Sequence, residues 1–439
     1  MTQTVSEGAD GADGTAVVAR FGRILPLAFI TYGLAFLDRV NYASAEKALS
    51  GSLHLSPRTG PVVSAIFFLG YCLFQIPGAI YAARRSVKWL VFWALILWGG
   101  LSGLTGVIRN VPLLVADRIM LGAVEGVVLP AMLIYLTRWF TRSERSRSNS
   151  ILMVTNPVTV ATASALSGVL IQFFDVHPIA GYRGWQMMFI LEGLPSVVWA
   201  FLWLALADEN PADAHWLSSR EKSAIQQTLD EEQREIGPVS GYRAAFSDAR
   251  VVKLAAMYAC FCSASYGLVM WLPRIVAEGT QQRPAAAGFL TSLPYVLAIF
   301  SMLAVSWASD RTLRRKRFVV ASMALGCAAF CVSMLAGQGH FMIAFLGLIV
   351  VGSCNYMPTA PLWAWMAEML PRNVVGESMA LVNSFGAFGG FVGTMGVGLL
   401  KNRSNGAAFL FQAACFAAAG LLAAAVQSPR ERNEPLRPL

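Results

Sequence analysis

The sequence predicts an all-α membrane protein with twelve transmembrane helices in two six-helix bundles. Three observations predict it. Of 439 residues, 56% are hydrophobic and only 13% charged, about half the charged fraction of a soluble domain, and the mean hydropathy is +0.55. Apolar runs of about 20 residues, enough helix to cross a bilayer core, recur along the whole length. They fall six and six about a polar stretch at residues 208–250. A soluble chain would have to bury every run, and there is too little polar surface to do so.

Residues 1–20 are polar, Gly-rich and mildly acidic, without the basic head and short apolar core of a signal peptide, so a disordered cytoplasmic tail is expected. The N-terminal bundle, 21–207, holds spans near 23–48, 58–82, 88–108, 111–137, 148–174 and 185–207. In the linker, 208–250, Ser218 and Glu221 fit a capping box ahead of an amphipathic helix. The C-terminal bundle, 251–427, holds spans near 251–277, 285–309, 317–337, 340–368, 373–400 and 406–427, and residues 428–439 form a second cytoplasmic tail.

Lys and Arg in the short loops number thirteen on the side of Arg84, Arg138 and Arg314, against eight on the side of Arg58, Arg183 and Arg283. The richer side is expected to be cytoplasmic, which puts both termini in the cytoplasm and the spans in the cell (inner) membrane. The formal charge of +9 is therefore a matter of topology, and no nucleic-acid partner is expected. All seven cysteines fall inside predicted spans without metal-type spacing, so neither a disulfide framework nor a metal site is expected. None of the four histidines has a plausible catalytic partner, which argues against an enzyme. GAIYAARRSVKW after span two and SWASDRTLRRKR after span eight form a weak internal repeat. Duplicated halves are what alternating access uses, rocking one bundle against the other.

An ionisable group near the bilayer centre costs roughly 2.5–3.5 kcal/mol, so those that remain tend to face a cavity and work there. Four stand out: Asp38, Arg39, Arg118 and Glu125. Asp38 lies about 22 Å along a helix beginning near Arg23, too deep to reach a headgroup. Arg118 and Glu125, seven apart, share one face of span four, with Gly122 between them and Gly126 beyond at the spacing that admits a close neighbour. A carboxylate beside a guanidinium can switch its proton as the partner moves. An unpaired arginine presents a planar fork to an anion, and Asn41 is placed with this group. All four are expected to converge on one wet chamber. Asp117 and Glu192 are weaker candidates, equally suited to interhelix hydrogen bonding. In the second half Trp363, Trp365, Asn355 and Asn383 suit an aromatic, hydrogen-bonding wall.

Seven stretches carry a resemblance: LDRVNYA, DRIMLGAVEG, YLTRWFTRSER, GWQMMFILEGLPSVV, NPADAHWLSSREK, MWLPRIV and MLPRNVVGESMALVNSFGAFGGFVG. In order and together they resemble the anion:cation symporter family of the major facilitator superfamily over nearly the full length. The resemblance implies proton-coupled uptake of a small organic anion, with protons as coupling ion and no cofactor, by a monomer in a lipid bilayer. It implies that Asp38 and Glu125 carry protons, that Arg39 and Arg118 tune them, and that Tyr71, Trp363 and Asn383 lie near substrate, with Asn156 where relatives often have glutamine. LVNSFGAFGGFVG looks most like transporters of sugar acids such as rhamnonate and galactonate. An aromatic or dicarboxylic acid (hydroxyphenylacetate, phthalate, tartrate) is the alternative, followed by an efflux antiporter or a non-transporting anion sensor. One departure concerns gating: the family's loop motif has an acid where this chain has Ala82, whereas Asp310 and Arg311 keep the pair after span eight.

Overall fold

In a computed structural model that describes residues 6–236, 249–280, 283–337, 340–369 and 375–426, the chain is helical nearly throughout. The first half contains α1 (Ser6–Ser52), α2 (Thr59–Arg84), α3 (Val87–Thr105), α4 (Val111–Gly126), α5 (Val128–Trp139), α6 (Arg142–Val176) and α7 (Gly184–Leu206). A 3-10 turn at Pro211–Asp213 leads into α8 (Ser219–Ile236). The second half contains α9 (Ala249–Thr280), α10 (Pro284–Thr312), α11 (Arg315–Ala336), α12 (Phe341–Tyr356), α13 (Thr359–Met369), α14 (Val375–Lys401) and α15 (Asn405–Ala425). Twelve segments are long and apolar enough to cross a membrane. Large apolar side chains such as Phe300, Leu335 and Leu421 stand exposed on their outer faces, as lipid-facing residues do.

Three features differ from expectation. α1 begins at Ser6, so most of the stretch expected to be disordered is helical; Arg20 anchors it with two bonds to the Glu144 carboxylate (3.0 and 2.9 Å) and one to the Trp139 carbonyl (2.8 Å). Spans four and ten, expected to be continuous, are each broken in two. Pro358, which has no N–H to give, accounts for the α12–α13 break. The α4–α5 break follows Gly126, whose missing Cβ would sit 2.5 Å from the Tyr71 carbonyl. The broken spans hold the same place in each half, and their first helices are each 16 residues long, a trace of the internal repeat. The second tail, 428–439, and Arg372 lie outside the described residues.

The bundles meet along α2–α14, α6–α10 and α1–α9. On the side opposite the chain ends they are tied by ions: Arg274 of α9 bonds Glu46 of α1 (3.0 Å), and Glu278 binds both Arg274 and Lys401 (2.8 Å each). Asn402 donates to the Pro57 carbonyl, and deeper in, Ser384 of α14 donates to Gln75 of α2 (3.0 Å). The bundles are thus joined from that face to somewhat past the middle of the membrane.

On the side of the chain ends the N-terminal half is braced by polar contacts of its own. Glu209, just past α7, accepts from the Ser86 hydroxyl (2.5 Å) and the Val87 and Lys88 amides (2.8 and 3.0 Å), and pairs with Arg138. Arg138 also donates to the Ala82 carbonyl (2.7 Å). The acid absent at Ala82 is therefore supplied in space by Glu209, which caps α3 at its positive end. Burial pushes the Glu209 carboxyl up, but the Ser86 hydroxyl, the two amides and the Arg138 guanidinium outweigh it and hold it below the usual carboxylate range. A carboxyl lowered in the folded state stabilises above its ordinary value, and the benefit is lost as pH falls through the folded one. Glu209→Gln is expected to cost about 1 kcal/mol at neutral pH, seen as a lower melting temperature in detergent. The two proteins should converge as pH falls through the folded value of this carboxyl; an equal gap at all pH values would contradict the ionic origin. At the end of α10, Asp310 pairs with Arg315 (3.7 Å), which also pairs with Glu368 (3.0 Å), while Arg311 lies over Trp307.

Candidate functional site

Asp38 and Arg39 are consecutive on α1, so their side chains leave the helix about 100° apart. Arg39 points to the interface between the bundles. Its Nε donates to Glu125 of α4 at 3.2 Å and its Nη1 to the Tyr266 hydroxyl of α9 at 3.4 Å. Both charged side chains are essentially without solvent contact, at 1% and 0% exposure. The guanidinium sits over the Tyr71 ring (4.4 Å) and against Phe36 and Phe67 (4.8 and 5.6 Å). Such stacking favours arginine over lysine.

Asp38 turns the other way, back into its own bundle. Its Oδ1 accepts from Ser102 of α3 (2.6 Å) and from Asn41 (3.0 Å), while no protein donor reaches Oδ2. The four residues expected in one chamber therefore divide, with Arg39 and Glu125 at the bundle interface and Asp38 behind α1. Asn41, expected beside the anion, is fully buried with its amide on Asp38. Its short side chain lies one turn beyond Asp38 and shares that face of α1.

Arg118 stands between the two groups and feels Asp38, Asp117 and Glu125 electrostatically. It packs under Tyr42 (4.0 Å) and Phe67 (4.9 Å), and none of its three nitrogens has a protein acceptor. A buried guanidinium without a hydrogen-bonding acceptor costs several kcal/mol, and the Asp38, Asp117 and Glu125 carboxyls around Arg118 are the charges that offset it. α4 can hold it here because α2 and α4 touch backbone to backbone: a Cβ at Gly122 would lie 1.9 Å from the Phe67 carbonyl.

Of the other expected residues, Tyr71 lies under Arg39, Asn156 is beside Tyr32 with its Oδ1 lacking a donor, and Trp363 meets Tyr258 edge to face at 5.3 Å. Asn383 is half-buried on α14, one residue before the cross-bundle Ser384. Asp310 and Arg311 lie at the end of α10, away from these groups. Sequence reasoning missed the tyrosines other than Tyr71. Tyr32 of α1 and Tyr266 of α9 both lie within electrostatic reach of Arg39, and Tyr258, Tyr295 and Tyr356 continue the cluster in the second bundle. One signal was available: Tyr258 and Tyr266, eight apart, share a helix face. Asn355, also buried, has no partner on either amide atom.

Charge is distributed asymmetrically. Asp38, Arg39, Asp117, Arg118, Glu125 and Glu192 are all buried in the N-terminal bundle. Apart from Lys401 at its outer end, the described residues of the C-terminal bundle bury only neutral polar groups. A ligand held between them meets a charged half and a neutral, aromatic half.

Residues 28–394 match the sequence model of the Major Facilitator Superfamily. A relative from Agrobacterium vitis, named for tartrate transport, is 30% identical over 402 residues, covering 91% of this chain and 90% of its own. A quinolone resistance transporter of Acinetobacter baumannii is 28% identical over 388 residues, 87% of this chain and 88% of its own. The xylose transporter XylE from Escherichia coli, in an inward open conformation, shares the fold with a TM-score of 0.74 at 14% identity, over 92% of this chain and 95% of that one. With twelve membrane-crossing segments in two six-helix halves and a family match over most of its length, this chain belongs to the major facilitator superfamily of membrane transporters.

Proposed function

We propose that the protein imports a small organic anion together with protons, and that the anion is a sugar acid with one carboxylate, of the rhamnonate or galactonate kind. The observation that carries this reading is the buried Arg39–Glu125 pair at the bundle interface, one nitrogen of which already reaches Tyr266 of the other half. While Glu125 is ionised it competes for Arg39. A proton on Glu125 releases the guanidinium, which can then take a substrate carboxylate as a two-pronged acceptor. The cycle needs no cofactor besides the coupling ion. Protons and anion bind from the side opposite the chain ends, read here as the outside of the inner membrane, and leave toward the cytoplasm, where both termini lie. Each monomer holds a complete path.

The asymmetry of charge supports a single carboxylate. Arg39 takes the acid group, and the hydroxylated remainder meets Trp363, Tyr258, Asn355 and their neighbours, which offer aromatic faces and neutral hydrogen bonds. A second carboxylate in that half would stay unpaired and costly. A dicarboxylate is the second reading, because the Agrobacterium relative is named for tartrate and Arg118 has no acceptor of its own. Uptake of labelled acids into proteoliposomes under an inward proton gradient separates the two. Rhamnonate or galactonate should accumulate, and tartrate in tenfold excess should leave that uptake nearly unchanged; accumulation of tartrate alone overturns the assignment. Outward movement under the same gradient would instead favour efflux.

A further inference from the structure

Behind α1 lies an acid that the coupling scheme does not use. Glu192 sits on α7 about 12 Å from its start and is 3% exposed. Its Oε1 accepts from Ser167 of α6 at 2.9 Å, while its Oε2 has no protein donor. It lies within electrostatic reach of Asp38 and hydrogen-bonding reach of Asn41, one of whose two Nδ2 protons is already on Asp38. α3 and α7 meet here without side chains between them, since a Cβ on Gly193 would lie 2.6 Å from the Gly99 carbonyl. That contact sets Ser102, which bonds Asp38, beside the helix that carries Glu192.

Two balances fail in this pocket. The first is hydrogen bonding: Asp38 Oδ2, Asn41 Oδ1 and Glu192 Oε2 are three buried acceptors with no hydrogen bond in place, and only the second Asn41 N–H is left to serve them. Buried acceptors of this kind are rarely left alone. The second is charge: four buried carboxylates (Asp38, Asp117, Glu125, Glu192) face two buried guanidiniums (Arg39, Arg118). Arg39 is committed to Glu125, which leaves Arg118 against three acids. The surroundings supply no further cation. α3 contributes the Ser102 and Thr105 hydroxyls, the latter on Asp117 (2.7 Å), with Lys88 only at its far end. α6 contributes Ser167, and its Asp175 is bound to the Gly184 amide. α1 adds the Tyr42 hydroxyl, and Arg274 takes Glu46. One proton closes the first balance and halves the second, since it turns an acceptor into a donor and removes one of the two unmatched negative charges.

We propose that Glu192 is a second proton-holding acid of the transporter, sharing one proton with Asp38 across Asn41, separate from the Arg39–Glu125 pair. The proton resides on Oε2 of Glu192 or Oδ2 of Asp38, and the oxygen left without it accepts a hydrogen bond. The site lies in the N-terminal bundle on the far side of α1 from the bundle interface, so it fills and empties without the substrate's carboxylate touching it. This deepens the proton-coupled reading above, yet its test uses no substrate and can fail while that reading stands.

The test is infrared spectroscopy of the purified, reconstituted full chain titrated between about pH 5 and pH 9, reading the carbonyl stretch of protonated carboxyl groups. Glu192→Gln keeps the acceptor for Ser167 and cannot take a proton. It should lose one component of the pH-dependent band, and Asp38→Asn should move the midpoint of the Glu192 component by about one pH unit. A glutamine variant whose band matches wild type overturns the proposal, as does a wild type with no titrating band in that range; a plain interhelix hydrogen-bond partner gives one of these two results. If the glutamine variant does not fold, Glu192→Asp carries the test. It keeps the acid but withdraws it by one methylene, so its component must titrate at a displaced midpoint, and an unmoved midpoint overturns the proposal.

Discussion

Arg39→Ala should reduce uptake of the anion by two to three orders of magnitude and leave little measurable binding. Removing one partner of a buried, hydrogen-bonded charge pair costs about 2–5 kcal/mol, and every 1.4 kcal/mol is about tenfold in affinity. The alanine variant loses the guanidinium that meets Glu125, Tyr266 and the Tyr71 face together. It also leaves Glu125 buried beside no arginine of its own. Arg39→Lys restores the charge but not the planar fork or the ring contact, so it should recover only part of the loss. Isothermal binding and initial uptake rates check both variants; a lysine variant equal to wild type would show that charge alone suffices at this position.

Glu125→Gln separates movement from coupling. The glutamine has nearly the shape of the acid and cannot be ionised, so Arg39 is released at every pH. Exchange of labelled for unlabelled anion across the proteoliposome membrane should persist at a rate within about tenfold of wild type, because the release step is always satisfied. Accumulation against a gradient should vanish, because no proton is taken up on Glu125 with the anion. Asp38→Asn should abolish accumulation as well, through the acid behind α1. Wild-type accumulation by both variants would remove these two residues from the coupling scheme.

The parts legible in the sequence are those governed by hydrophobic length and by single residues out of place. The twelve apolar runs declare themselves because a bilayer imposes about 20 residues on each, and Asp38, Arg39, Arg118 and Glu125 declare themselves because apolar neighbours make each charge conspicuous. The direction in which a side chain leaves its helix is another matter. Asp38 and Arg39 are neighbours in sequence, yet one faces α3 and the other α9, and only the packing of three helices decides which. Asn41 shared the fate of Asp38 for the same reason. Tyr32 and Tyr266 were illegible because a tyrosine in a span is unremarkable until helices from both halves bring them, with Tyr71, around one guanidinium. Glu209 illustrates a third limit: the acid that replaces the one missing at Ala82 lies 127 residues further along the chain, and nothing local in the sequence links the two positions.

The central claim is that the Arg39–Glu125 pair exchanges a proton for an anion. The most direct measurement follows proton and anion together, with a pH-sensitive dye sealed inside wild-type proteoliposomes while labelled sugar acid is added outside at equal pH and zero membrane potential. The account predicts that the lumen acidifies as the anion enters, and that Glu125→Gln moves anion without that signal. Anion entry into wild-type vesicles at constant internal pH would contradict it.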